Sequence, residues 1–518
     1  MRNLIVRPSK ANIDWFIFVS SAVIIICVCL PLVIFPDKGG VVLKEAFDYV
    51  THKLGITYIL FSVAAIIFLL YLAFSRFGAI VLGKQDTPDF STFSWAAMLF
   101  CGGIGTSVLY WGTIEWAHYY QNPPMGLEAE SREALQWATG YPIFHWGFTG
   151  WALYCLPAIA IAYAYHVRGI TSLTLSATCE PIIGRWSQRF PGRIIDLTYM
   201  VGLVGAASTG IGLTVPLIAA CLGWMLDIPD TFALKVGVIS IVTSVFAVSV
   251  WIGLDRGIKR LSNLAVSLAF LLLAFVLLTG PTLYILEAGT ATLGFVVQNY
   301  ITMSTWTDPN AASNFVETWT VFYWAWWLAL GPFMGIFITK ISGGRTIRQV
   351  VLGSLGYGTL GTTLFFLVLG NYAVYLEISG ELAVLLELQN NGAAQAVTQV
   401  IASLPLNLLV IPLFCLICVI FAATSADSAS YTLASTTTQV LPQGRHPARW
   451  NRIFWAFALG LLPITLIRIG GLSPLQSAVT VVSVPLLLVI LLMTGALIRC
   501  LKRDFDDETD KPAKPLPD

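Results

Sequence analysis

The sequence predicts an all-α integral membrane protein with twelve transmembrane helices. Three observations carry that prediction. Of 518 residues, 57% are hydrophobic and only 11% are charged, against about 25% charged in an ordinary soluble domain. Mean hydropathy is +0.77. Twelve segments each supply the roughly 20 mostly apolar residues that a membrane helix needs. A soluble helical bundle fails because too little charged surface remains to dissolve it. The net charge of +1 suggests no nucleic-acid partner. The nine cysteines are scattered through apolar runs, and Cys415 and Cys418, a CxxC without a second pair or a His, read as packing residues.

The spans fall near 13–35, 54–75, 92–119, 138–166, 194–224, 232–253, 261–286, 316–341, 349–376, 403–437, 451–471 and 474–500. The first follows a 1–12 tail that carries Arg2, Arg7 and Lys10 but no small-residue cleavage site, so it reads as an uncleaved helix. With the second it forms an N-terminal pair over 13–91. The third span carries Cys101-Gly102-Gly103-Ile104-Gly105-Thr106-Ser107, and the eighth carries Gly331-Pro332. Glycine weakens a helix and proline removes one of its hydrogen bonds, so both sites read as helix breaks. Close helix packing through small residues is the competing reading. Spans 3–7 (92–253 and 261–286) and spans 8–12 (316–500) divide into two five-helix units. Both expected breaks then lie in the first helix of a unit, and interruptions at matching places point to a transporter substrate site. Segments 287–305 and 380–398 mix apolar and polar residues, are too short to cross, and read as amphipathic helices at the interface. The first opens a 287–315 connection. Residues 501–518 read as a short tail of mixed charge.

With twelve spans, one side of the membrane collects both tails and the even-numbered connections. That side holds 23 of the 29 Lys and Arg residues, from Arg2 and Arg76 through Arg168, Arg256, Arg345 and Arg449 to Lys514. The other side holds Lys38, Lys44, Lys53, Arg132, Lys235 and Arg468. This asymmetry predicts cytoplasmic termini.

Charged residues inside membrane spans are costly and usually functional. Asp14, Glu115, Asp196 and Glu317 sit near span ends, where water is expected close by; Asp427 is deeper, beside Thr424, Ser425 and Ser428. No ladder of ionisable groups suggests a proton pump. The five His residues lack the spacing of a haem or metal site. The most unusual stretch is Trp319–Trp327, in which six of nine residues are aromatic. Trp146, Trp151 and Tyr154 form a second set on the fourth span. An interfacial aromatic belt would account for Trp319 and Trp324. It does not account for the deeper Trp326, Trp327, Trp151 and Tyr154. Ring faces attract cations that cannot hydrogen-bond, each contributing roughly 0.5–2 kcal/mol. Three or four rings would hold a trimethylammonium group without a carboxylate, and no carboxylate in the sequence evidently faces this set.

At these residues the sequence resembles the betaine/carnitine/choline transporters. The resemblance rests on Trp319–Trp327 followed by Ile341-Ser342-Gly343-Gly344-Arg345-Thr346-Ile347-Arg348, on Tyr110-Trp111-Gly112-Thr113-Ile114-Glu115, on His145-Trp146-Gly147, and on Thr424-Ser425-Ala426-Asp427-Ser428. It runs in order over nearly the whole chain. It implies a LeuT-type fold, with two extra N-terminal helices before two inverted five-helix repeats, assembled as a homotrimer in a bacterial inner membrane. It implies an aromatic box of Trp146, Trp151, Tyr154 and Trp327, with Trp326 beside it. Leu330 replaces a further aromatic of the family pattern, and Met334 matches a methionine near substrate in carnitine-type members. It also implies a Na⁺ site made by the hydroxyls of Thr424 and Ser425 and the carbonyls of Phe421, Cys101 and Ile104. Oxygen ligands of this kind suit a hard cation. Hydrogen bonding back along the helix is the alternative use of the two hydroxyls. A second ion site near Ser208 and Thr209 is the weaker suggestion. Choline-type members carry an Asp where this chain has Ser107, which favours a zwitterion. Its carboxylate would meet backbone N–H groups freed at Gly103, Gly105 and Ser107.

The expected activity is therefore import of a quaternary ammonium zwitterion, of glycine betaine or carnitine type, by Na⁺ symport with alternating access. No cofactor is implied beyond Na⁺ as coupling ion. One Na⁺ crossing about 100 mV yields about 2.3 kcal/mol, and a tenfold gradient adds about 1.4 kcal/mol. That suffices for a several-hundredfold gradient of a neutral solute, and the sequence has no phosphate-binding GxxxxGK[ST] loop. A sodium-independent carnitine/γ-butyrobetaine exchanger and uptake of choline or another methylamine are the competing activities. A membrane enzyme would need a catalytic constellation that the sequence does not display. The short tail points to nutrient uptake rather than osmotic sensing.

Overall fold

A computed structural model of the chain describes residues 13–85, 87–170, 172–252, 255–310, 312–439 and 446–509. The 1–12 tail, Arg445, the end of the C-terminal tail, and the side chains of Arg256 and Lys259 lie outside the described residues. Among the described residues the chain is helical, and strand-like pairing is confined to single bridges between Ile13 and Thr438 and between Val81 and Thr346.

The helices are α1 (Trp15–Ile34), α2 (Pro36–Phe74), α3 (Thr92–Gly102), α4 (Thr106–Gln121), α5 (Arg132–Trp146), α6 (Phe148–Ala162), the short α7 (Leu175–Thr178) and α8 (Glu180–Ile183), α9 (Phe190–Leu226), α10 (Phe232–Ile252), α11 (Asp255–Thr279) and α12 (Thr282–Thr305). Then follow α13 (Val321–Ile341), α14 (Ile347–Gly353), α15 (Thr359–Phe365), α16 (Asn371–Ser379), α17 (Val384–Asn391), α18 (Ala393–Ala402), α19 (Asn407–Thr436), α20 (Arg449–Ile469) and α21 (Leu472–Thr509). Wider π-turns at Val316–Thr320, Ser354–Gly358 and Phe366–Gly370 join α13 to α16 into two long irregular helices. Among the described residues, ten helices are long and apolar enough to cross a membrane, and the bent pair α3–α4 makes eleven. The continuously described apolar stretch of α10, Phe232–Ser244, is short of a full crossing.

Several boundaries differ from the sequence expectation. The second helix starts at Pro36, not near 54, because proline suits a first helical turn and no further proline follows it before Phe74. The seventh span stops at Thr279, not 286. Gly280-Pro281 interrupts it, and the expected interfacial helix at 287–305 starts earlier, at Thr282. The expected 380–398 helix is two helices, α17 and α18, split at Gly392, whose φ of 82° is in the left-handed region. The last helix continues to Thr509, into the segment expected to be a tail. Its end is tied down where Asp504 accepts from Tyr163 Oη at 2.8 Å and Arg168 Nη1 at 2.9 Å.

The two expected breaks have opposite outcomes. α3 ends at Gly102 and α4 starts at Thr106 with a 56° bend, so the third span is broken as expected. The eighth span is not broken. α13 runs through Gly331 and Pro332 without interruption. Here the small-residue reading holds: a methyl added at Gly331 would stand 3.2 Å from Leu153 O, and one at Gly335 3.1 Å from Ala158 N. These glycines let α13 lie directly on α6, the most extensive helix pairing in the structure. A break that the sequence reading did not identify lies instead between α5 and α6, where Gly147 adopts φ −93° and ψ −143°.

The Ile341–Arg348 signature ties two loops together. Leu82 N donates to Arg345 O, Gly344 N to Leu82 O, Asp89 N to Gly343 O and Ile347 N to Ile80 O, at 2.6–3.1 Å. Arg345 is 2% exposed. Its guanidinium lies 4.2 Å from the Trp95 ring centre and donates to Phe90 O at 3.0 Å. Trp95 Nε1 in turn donates to Ser342 Oγ at 3.1 Å. Arg345→Ala removes a buried charged hydrogen bond and a cation–π contact and is expected to cost roughly 2–4 kcal/mol. Thermal unfolding in detergent checks this, and Arg345→Lys should recover little of it because ammonium lacks the planar stacking surface.

Candidate functional site

The α3–α4 break and the turn at Gly147 frame one cluster of rings. The turn at Gly147 puts Trp146 at the end of α5 and Trp151 and Tyr154 in the first two turns of α6. It also frees the Trp146 carbonyl, which accepts from Thr362 Oγ1 at 2.8 Å. α13, packed on α6, supplies Trp326 and Trp327. Trp327 is the hub: its ring centre lies 4.3 Å from Tyr154, 5.7 Å from Trp146 and 6.2 Å from Trp151. Trp146 also meets Trp326 at 5.9 Å and Phe366 at 5.6 Å. The structure thus brings together all five expected aromatics and adds Phe366, a wall that the sequence did not single out. None of the five is more than 8% exposed. In this conformation the rings lie against one another.

Glycines make the bed for these rings. A methyl at Gly150 would lie 2.5 Å from Trp327 Cε2. Trp151 is wedged between two further glycines. Methyls at Gly103 and Gly358 would lie 2.9 Å and 2.2 Å from its ring atoms. The α3–α4 break is therefore one wall of the aromatic cluster. Met334 belongs to the same place, since a methyl at Gly102 would be 3.6 Å from its Cε and 3.6 Å from Trp151 Cη2. Gly105 faces open space, and Ser107 Oγ lies 3.8 Å from the corresponding position at Gly210 on α9. Trp151 Nε1 is buried with no hydrogen-bond partner among the described residues. Trp319 and Trp324, expected in an interfacial belt, are 6% and 1% exposed and pack inside the protein instead.

Glu115 overturns two expectations. It is fully buried, not close to water. It also touches the aromatic set, because its Oε2 accepts from Trp146 Nε1 at 3.0 Å and from Tyr323 Oη at 2.7 Å. Oε1 accepts from Tyr119 Oη at 2.6 Å. Tyr119, having given its proton to Glu115, is placed to accept from His145 Nδ1 at 2.9 Å, which leaves His145 Nε2 to accept from Thr320 Oγ1 at 3.2 Å. The network joins α4, α5 and the start of the α13 span. The four-residue spacing of Glu115 and Tyr119 was a sequence signal for part of it.

With this geometry in place, comparison with known proteins is informative. Residues 16–506 match the betaine/carnitine/choline family transporters. The chain is 35% identical over 500 residues to a carnitine transporter of Acinetobacter baumannii, covering 96% of this chain and 91% of that protein. The chain belongs to the betaine/carnitine/choline transporter family. It is also 37% identical over 439 residues to the uncharacterized transporter YeaV of Escherichia coli, covering 85% and 91% of the two chains. As a family member it is a multi-pass membrane transporter, not an enzyme, and its substrate class is a small quaternary ammonium compound.

The expected ion ligands of this family member are less tightly assembled than its rings. Thr424 Oγ1 donates back to Phe421 O at 3.2 Å, and Ser425 is exposed. Cys101 O accepts from Ile104 N at 3.0 Å within the break. α19, which carries Thr424, Ser425 and Phe421, packs on α4, the helix that starts at the break. No hydrogen bond among the described residues links the two ligand groups. At the weaker second site, Ser208 and Thr209 turn their hydroxyls to the carbonyls of Leu459, Gly205 and Leu475. Asp427, whose role the sequence left open, pairs with Arg452 Nη2 at 3.0 Å.

Proposed function

We propose that this transporter imports a quaternary ammonium zwitterion, of glycine betaine or carnitine type, by Na⁺ symport with alternating access. The observation that carries the reading is the convergence of Trp146, Trp151, Tyr154, Trp326 and Trp327 on one buried cluster beside the α3–α4 break. The ring faces take the onium group. The carboxylate meets the break, where the first N–H groups of α4 have no preceding helical turn to bond to. Gly103, Gly105 and Ser107 line that end, Met334 flanks it, and Trp151 Nε1 is a donor within the same wall. A zwitterion satisfies both ends at once. The relative named as a carnitine transporter supports the same choice.

Na⁺ is held by the hydroxyls of Thr424 and Ser425 and the carbonyls of Phe421, Cys101 and Ile104. The hydroxyl oxygen of Thr424 keeps lone pairs for the ion while its proton is donated to Phe421 O, 3.2 Å away. The layout behind the reading is two N-terminal helices followed by two inverted five-helix repeats, in a homotrimer, with both termini cytoplasmic in a bacterial inner membrane.

Labelled glycine betaine and carnitine uptake into proteoliposomes, with and without an inward Na⁺ gradient, tests the reading. Accumulation only with the gradient supports it. Brisk counterflow without sodium would assign the chain to exchange instead. Thr424→Ala is expected to raise the Na⁺ concentration for half-maximal uptake several-fold, with substrate affinity recovering at saturating Na⁺. A sodium titration of uptake measures both.

A further inference from the structure

We propose that the connection between α6 and α9 holds the headgroup of an anionic phospholipid of the cytoplasmic leaflet, through Arg185, Arg189 and the Trp186 indole that both arginines flank. The proposal rests on the reading above that puts the termini, and with them this connection, on the cytoplasmic side. It adds a second ligand, distinct from the transported one. Two rows of residues run along this stretch. Ile182, Trp186, Phe190 and Ile194 form one, each four residues after the last, and all are 39–62% exposed. Arg185, Arg189 and Arg193 form the other at the same spacing, and all three are exposed. The chain is not one helix here, since α8 gives way to a 3₁₀ turn over Gly184–Gln188 and α9 starts at Phe190.

The two rows meet at Trp186. The guanidinium carbons of Arg185 and Arg189 each lie 5.7 Å from its ring centre. Arg193 is already engaged: it pairs with Asp14 at 3.5 Å and lies over the Phe16 ring. Neither Arg185 nor Arg189 makes an ion pair or a side-chain hydrogen bond among the described residues. Glu180, the acidic residue of α8, pairs with neither. The stretch is docked on α21, where a methyl at Gly495 would lie 3.8 Å from Ile182 Cδ1. Exposed apolar side chains beside a membrane-crossing helix mark the level where hydrocarbon meets headgroups, and an amphipathic indole suits that level. Arginine stems lie along such a surface while their heads reach the polar layer. Two unpaired guanidinium forks then stand at the depth of lipid phosphates, whose geometry they match with paired N–H donors. A zwitterionic lipid brings its own ammonium to compete for the phosphate, whereas an anionic lipid leaves it to the arginines.

Native mass spectrometry of the full-length protein in detergent measures the affinities of phosphatidylglycerol and phosphatidylcholine with the same acyl chains. The parent protein is expected to prefer phosphatidylglycerol about tenfold. Arg185→Gln/Arg189→Gln should lose most of that preference and leave phosphatidylcholine binding unchanged. Each single variant should lose part of it, and the singles serve if the double variant does not fold. Arg260→Gln, at an exposed arginine near the start of α11 on the same side, should keep it. Inorganic phosphate should not displace the lipid, because the apolar row holds only a ligand with chains. Equal affinity for the two lipids in the parent, an equal loss in Arg260→Gln, or displacement by inorganic phosphate would overturn the proposal. So would loss of an oligomer in the double variant with the lipid preference intact, which would give this surface to a second copy of the chain. The orientation is read separately: a maleimide that cannot cross membranes should label Gln188→Cys, compared with the parent, in inverted vesicles and not in intact cells. The reverse pattern would sink the cytoplasmic reading, whatever the lipid affinities.

Discussion

Replacing Trp327 by leucine is expected to raise the dissociation constant for a quaternary ammonium substrate on the order of a hundredfold, at every sodium concentration. Trp327 is the ring that the others share. Its centre lies within 6.2 Å of Tyr154, Trp146 and Trp151. Leucine preserves apolar bulk but has no quadrupole, so the variant loses a desolvated cation–π contact of about 2 kcal/mol. It also loses the flat surface that orients Tyr154 and Trp146, which adds roughly another 1 kcal/mol. Sodium cannot compensate, because the lost contact is with the substrate and not with the ion. Equilibrium binding of labelled betaine across a sodium series checks this. A dissociation constant restored by high sodium would show that Trp327 acts on the ion site rather than on the substrate.

Gly358→Ala is expected to reduce transport by more than tenfold and to lower thermal stability, although Gly358 has no side chain of its own to lend the site. Its added methyl would stand 2.2–2.5 Å from three atoms of the Trp151 ring. Trp151 has little room to retreat, because Gly103 also approaches the ring so closely that its methyl would be 2.9 Å from Cζ2, and the residue is fully buried. Overpacking of this kind costs about 1–3 kcal/mol. The ring displacement falls directly on the proposed substrate box. Gly356, two residues earlier in the same wide turn, has open space at its methyl position. Gly356→Ala is therefore the control, with uptake and melting temperature near those of the parent. If both variants behaved alike, helix propensity and not ring placement would be responsible.

Much of the architecture is legible in the sequence because the bilayer imposes a strong one-dimensional rule. Apolar runs long enough to cross are visible as such, and α1, α9, α13, α19 and α20 fall close to where those runs place them. The aromatic cluster is legible for a related reason: Trp and Tyr deep in a span have few uses other than packing together or holding a cation. The α3–α4 break is legible because three glycines in four residues leave little helix propensity. Gly331-Pro332 misleads, because local propensity cannot register that α6 packs against those glycines and supports the helix through the proline. Gly147 fails in the opposite sense. A single glycine in an apolar run is common, and only the tertiary pairing of the Trp146 carbonyl with Thr362 reveals the turn.

Glu115 marks the same divide most sharply. From sequence it is an acidic residue toward the end of a span, and water is the natural partner to expect there. In the fold it is enclosed by Tyr119, Tyr323 and Trp146, from three different helical segments. Composition and hydropathy determined that this chain is a helical membrane protein, and the ordered motifs determined its family, because both are properties of residues taken along the chain. Which rings share one pocket, which glycines make room for them and which carboxylate stands behind them were decided only by the packed structure. Those relations join residues far apart in the chain, Glu115 and Tyr323 by 208 positions, and no local preference encodes a distance across helices.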